Sequence, residues 1–169
     1  MTATACTAAD ILASVVLCAE ATVAPAVANW PTQFKECDKT DLHGSGRERQ
    51  FRIIPAPSGG GEYQNTGTNS GVVQLVTRFI RFGLEVKWRQ GTLTGSQFMG
   101  YVYADIHALG DRIQRRIASH DDEVTSGSLE GLDALDLDGE YQFSMDDTAH
   151  ALYAVIPFKA QYTDDQVQL

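Results

Sequence analysis

Lysine and arginine are missing between Ile117 and Phe158. A surface built from that stretch does not grip duplex DNA, because such affinity comes mainly from cations set against phosphates. Cysteine is scarce too. Cys6, Cys18 and Cys37 are an odd number with no C-x-x-C spacing. That argues against a disulfide framework and a zinc ribbon, and it favours a reduced compartment. No uninterrupted apolar run reaches the length of a membrane span. The longest apolar stretch, residues 11–28, is broken by Glu20 and Pro25. It ends in small residues, but no Lys or Arg precedes it, so no secretory signal is expected. The expected protein is soluble and intracellular. Signatures of catalysis are also absent: there is no G-x-S-x-G, H-E-x-x-H or Walker motif. An enzyme is not expected, and neither a cofactor nor a resident metal is expected.

What is present is a chain of 169 residues, 43% hydrophobic, long enough for one domain with its own core. Its charge is unevenly placed. Residues 1–46 carry −3, residues 47–116 carry +5 with ten basic side chains, and residues 117–169 carry −11 with Lys159 as the one base. The acidic end reads as a solvated face, or as one of two opposite-sign faces that meet between neighbouring copies.

Thr7 followed by Asp10 resembles a capping box and opens a first helix. Ile11, Val15, Cys18 and Thr22 form one stripe, with Leu12, Val16, Ala19 and Val23 beside it. Pro25 is expected to end or kink this helix. Residues 29–47 read as loop. Phe51–Ile54 reads as a short strand stopped by Pro55 and Pro57. The stretch SGGGEYQNTGTNSG, residues 58–71, is expected to be a mobile hairpin loop when unpartnered. It lacks the Lys-Ser/Thr ending of a phosphate-binding loop. Residues 72–89 form a long strand, clearest where Leu84, Val86 and Trp88 alternate with Glu85, Lys87 and Arg89. Gly83 is a candidate bend or bulge.

A second helix is expected over 96–119, with Val102, Ile106, Leu109, Ile113 and Ile117 on one face. Arg112, Arg115 and Arg116 crowd its last turns, where cations suit the helix dipole. An acidic loop follows, in which His120, Asp121, Asp122 and Glu123 stand in succession. Residues 137–145 and 152–162 then alternate as two half-buried strands, with Pro157 implying an edge position or a bulge. Between them lie Asp146, Asp147 and His150. Asp is favoured in turns because its carboxylate accepts nearby backbone N–H groups. The competing reading is a metal or acid/base site, with His120 as a further ligand.

The expected fold is α+β, with elements in the order helix-strand-strand-helix-strand-strand. Four mainly antiparallel strands carry two helices on one face. The element order and the closing segment GEYQFSMDDTAHALYAVIPFKAQY, residues 139–162, resemble the tail terminator (tail completion) proteins of long-tailed bacteriophages, the lambda-type family. The N-terminal amphipathic helix, the polar insertion before the long strand and the arginine-bearing helix fit the same pattern.

The resemblance implies a structural virion protein, assembled in the host cytoplasm. It implies a homo-oligomeric ring, a hexamer, at the head-proximal end of the tail, which stops tube growth and presents a surface for head joining. The implied partners are the tail tube protein and a head-side neck or connector protein, with no membrane partner. Genomic DNA passes the ring without specific binding; six copies at −9 each would carry roughly −54. Partner contacts are expected at Gly60, Glu62, Tyr63, Asn65 and Asn69, at Arg112, Arg115 and Arg116, and at Asp121, Asp122, Asp146 and Asp147. Another neck protein, a head-closure or adaptor component, fits the same element string.

Overall fold

The computed structural model describes residues 7–22, 30–31, 33–37, 49–56, 61–64, 69–70, 73–114, 132–148 and 150–167. Two strands of 17 residues each, β5 (Val73–Arg89) and β8 (Ala151–Val167), form its axis. They pair antiparallel without a register break from Val73 opposite Val167 to Arg89 opposite Ala151. At ~3.3 Å per residue such a ladder is about 55 Å long.

Shorter segments line both sides of it. Along β5 lie β2 (Gln50–Pro55), β3 (Gly61–Gln64) and β4 (Asn69–Ser70), one after another. Along β8 lie β7 (Gln142–Asp146) and β6 (Leu132–Leu137). β1 (Lys35–Glu36) pairs parallel to β2.

The α+β class and the two helices expected from sequence are present. The expected four-stranded sheet is corrected to one mixed sheet of eight strand segments among the described residues. They run in four antiparallel lanes whose outer two are broken, with β1 added at one margin. Residues 29–47, read as loop, contain β1. The glycine-rich stretch contributes β3 and β4, both hydrogen-bonded to β5.

One face of the sheet holds the core. Phe82, Leu84, Val86 and Trp88 of β5 stand opposite Phe158, Ile156, Ala154 and Leu152 of β8, and all eight are buried. The Phe82 and Phe158 rings stack at 5.5 Å. Helix α1 (Ala8–Glu20) adds Ile11, Val15, Cys18 and Ala19 to this cluster. Helix α2 (Gly95–Ile113) adds Phe98, Val102, Ile106, Leu109 and Ile113. Burying each large apolar side chain contributes about 1.5–3 kcal/mol, an upper estimate.

Both helices start on reciprocal caps. Thr7 and Asp10 exchange hydrogen bonds at α1, as expected, and Thr94 and Gln97 do so at α2. The caps satisfy N–H groups that have no partner within the helix. α1 ends at Glu20, before Pro25. α2 is regular from Gly95 to Ile113; the rest of the expected span to 119, with Arg115, Arg116 and Ile117, lies outside the described residues.

Three local features correct the sequence reading. Gly83 causes no register shift. A Cβ there would stand 2.7 Å from Val155 Cγ1 and 3.1 Å from Ile54 Cγ1, so the site needs a missing side chain rather than a bend. Pro157 is on a central strand, not at an edge. It faces Gly83 on the β5 side, and its carbonyl accepts the Asp138 N–H at 2.9 Å. The outer lane breaks just there, between Leu137 and Gln142. The N–H that proline lacks is therefore not needed by a ladder partner. The bulge falls instead in β6, between Leu132 and Ala134. The extra residue lets Leu132 and Leu135, three apart, both reach the core.

Candidate functional surface

Asp146, Asp147 and His150 occupy the turn that joins β7 to β8. The Thr148 N–H donates to Asp146 Oδ1 at 3.0 Å. That bond is the turn chemistry for which Asp is selected. His150 adopts φ 51°, in the left-handed region. Its carbonyl accepts the Gln90 N–H at 3.2 Å and ties the turn to the end of β5. Asp147 and His150 are exposed. A cavity of about 90 Å³ lies beside the turn, bounded by Phe98, Met145 and Gln90. Among the described residues no group of three His, Cys, Asp or Glu side chains is placed to hold a metal ion. His120, Asp121, Asp122 and Glu123 lie outside those residues.

A second polar group is buried and was not foreseen. Arg49 and Asp105 are fully enclosed, with Arg49 Nε donating to Asp105 Oδ2 at 3.1 Å. Trp88 Nε1 donates to the same oxygen at 2.9 Å. Arg49 Nη1 donates to the Pro31 carbonyl, and the guanidinium lies 3.9 Å from the Phe34 ring centroid. Burial pushes the Asp105 carboxyl above its ordinary value, against the opposing pull of Arg49 and Trp88. Burial lowers the Arg49 guanidinium from its ordinary value, against the pull of Asp105. This group welds residue 49, α2 and β5 together, with both charged side chains at 0% exposure. One signal was in the sequence: Asp105 stands among Val102, Ile106 and Leu109 on the apolar stripe of α2.

The open chemistry lies where α2 meets β7. The apolar side of residues 137–145 was expected to be half-buried. Instead Phe143 is 39% and Met145 59% exposed. Tyr103 of α2, 42% exposed, meets Phe143 edge-on with ring centroids 5.7 Å apart. Between α2 and β7 lies a cleft of about 360 Å³ lined by Tyr103, Leu137, Gly139, Glu140, Tyr141 and Phe143. Leu17 on α1 is a further exposed apolar side chain, at 53%.

The residues expected to bind partners do not gather in one place. Glu62 and Tyr63 fall in β3, and Asn69 in β4, beside residues 73–80 of β5. Asp146 and Asp147 sit at the other end of the same ladder, beside Ala151. Arg112 lies in the last turn of α2. Gly60, Asn65, Arg115, Arg116, Asp121 and Asp122 lie outside the described residues. Sequence reasoning missed Tyr103 and Glu140, and it placed Phe143 and Met145 on the apolar face of a half-buried strand. No protein-family model matches this chain, and no curated protein matches it.

Proposed function

We propose that this protein is a structural virion component that assembles as a ring on the head-proximal end of a phage tail tube. There it ends tube growth and offers the surface for head joining. The observation that carries the reading is the inequality of the sheet's two margins. One margin, β6 and β7, bears exposed aromatic and apolar side chains beside an acidic turn. The other, among the described residues, ends in the two-residue strand β1. A closed ring needs two unlike faces on each subunit, whereas a two-fold dimer repeats one face.

The length of the β5–β8 ribbon supports the same reading. The core cluster runs along β8 as far as Tyr162, opposite Arg78, and the ladder continues from there to Val73 opposite Val167, with β4 paired at its end. In this reading that end of the ribbon contacts the tube. In this reading Glu62, Tyr63 and Asn69 belong to the tube side. The acidic turn at Asp146 and Asp147 belongs to the neighbour or the bore.

Electron microscopy of the purified chain tests the proposal. Rings with a central hole are expected. Monomers alone at every concentration, with or without tube protein, would overturn it.

A further inference from the structure

We propose that Asp138 and Gly139 form a site of spontaneous covalent modification, at which the aspartate rearranges to isoaspartate through a cyclic imide. The reaction needs only water as co-reactant and does not depend on assembly.

Asp138-Gly139 is the one Asp-Gly pair in the chain, and there is no Asn-Gly pair. A glycine after an aspartate leaves the amide nitrogen between them unshielded, because no Cβ stands beside it. The fold adds what the dipeptide alone does not supply. Residues 138–141 lie in the gap between β6 and β7, outside either strand. Gly139 is exposed, at φ +109°, and a side chain starting there would meet no atom within 4 Å. Its N–H makes no hydrogen bond among the described residues, so none has to break before that nitrogen reacts. The Asp138 N–H is anchored on the Pro157 carbonyl at 2.9 Å. The Asp138 side chain is 32% exposed and meets Arg81 Nε at 3.4 Å, a contact that restrains it only weakly at that exposure. Asp111, Asp133 and Asp136 differ on both counts: regular helix or strand holds them, and a side chain follows each.

The Gly139 amide nitrogen loses its proton to solvent and attacks Cγ of the protonated Asp138 carboxyl. The N–Cγ bond forms, and the hydroxyl leaves as water with a proton from solvent. Another water then opens the imide. Breaking N–Cγ restores aspartate. Breaking the bond from that nitrogen to the Asp138 carbonyl carbon gives isoaspartate, whose main chain runs through Cβ. Composition and charge are unchanged, but the main chain is longer by a carbon and the carboxylate now sits on Cα, drawn back from Arg81. The outer lane is already open here, so the added length needs no shift in the β6 or β7 register. Glu140 and Tyr141, which follow, line the cleft against α2, so the rearrangement alters the wall of that cleft.

The test incubates the full folded chain in oxygen-18 water near neutral pH, beside the same chain unfolded in guanidinium. Peptide mapping reads isoaspartate as a peptide of unchanged sequence and shifted retention that carries heavy oxygen. An endoproteinase that cuts before aspartate no longer cuts there. The folded chain is expected to accumulate isoaspartate at 138 ahead of Asp111, Asp133 and Asp136. Gly139→Ala is expected to lose most of the conversion, and Asp138→Glu, whose imide ring is larger, all of it. Arg81→Gln frees the carboxyl and is expected to quicken it. Far-UV circular dichroism checks each fold, and Asp138→Glu is read in place of any variant whose spectrum changes. No conversion at 138 in the folded chain overturns the inference, and the unfolded chain then shows whether the fold protects the site. Equal conversion at Asp111, Asp133 and Asp136 in the folded chain overturns it as well, since the gap would then confer nothing.

Discussion

Arg49 and Asp105 show how one residue pair governs a core from opposite parts of the chain. They are 56 positions apart, and neither is exposed. Taking two charges out of water is costly, and the pair is tolerated because Trp88 and the Pro31 carbonyl complete its hydrogen bonds. Asp105→Ala removes the carboxylate and leaves a buried guanidinium. It is expected to lower stability by about 3–5 kcal/mol, read as a fall in the urea midpoint. Arg49→Met with Asp105→Leu is expected to recover most of that loss, because it removes both charges together. Asp105 was visible as a carboxylate on an apolar helix face. Arg49 was not foreseeable as its partner, because no local spacing links the two. His150 makes a different residue-scale argument. Its left-handed backbone costs a non-glycine residue roughly 1–2 kcal/mol. His150→Gly is expected to hold or raise the thermal midpoint, and His150→Val to lower it. Equal losses in the two variants would mean that the imidazole matters rather than the turn.

Elements were legible where one neighbour layer decided the pattern. From Phe82 to Trp88, period-two alternation gave the core face correctly, since both flanking lanes and the helices agree with it. The same alternation misled in β7. A sequence records which side chains share a face, but not how closely the next layer packs on it: Tyr103 meets Phe143 edge-on and still leaves it 39% exposed. The lane broken opposite Pro157 was hidden as well, because it depends on a strand pair that is distant in the chain. Gly83 offers a direct test of element packing. Gly83→Ala sets a methyl against Val155 and Ile54 and is expected to cost about 1–3 kcal/mol. Adding Val155→Ala should restore part of that loss, which a double-mutant cycle measures. At α1, the Thr7 hydroxyl and then its backbone N–H donate to Asp10 and hold that carboxyl below its ordinary value. A carboxyl depressed in the folded state contributes stability above its unfolded value, and loses it as pH falls through the folded one. Acidification below about pH 4 is therefore expected to loosen the first turn. Amide exchange at Thr7 should report this, and Asp10→Asn should remove the pH step.

At the scale of the whole molecule, charge and shape make opposing demands on the proposed ring. Each copy carries −9, so copies repel one another at long range. The basic middle and acidic end attract only where they come close. These two effects have different ranges, and salt separates them. At 0.01 M salt the screening length is about 30 Å, near the size of a small domain, so whole-molecule repulsion persists. At 0.15 M it is about 8 Å, which suppresses that repulsion but leaves contacting ions engaged. Near 0.5 M it shrinks to about 4 Å, and exposed contact pairs weaken in turn. Assembly is therefore expected to be strongest at intermediate salt and to fall on both sides. Sedimentation at these three ionic strengths, with protein concentration fixed, measures it. A steady rise with salt would assign the contact to apolar burial alone. A steady fall would mean that net repulsion has no part. A maximum is what unlike charged faces on an acidic subunit require.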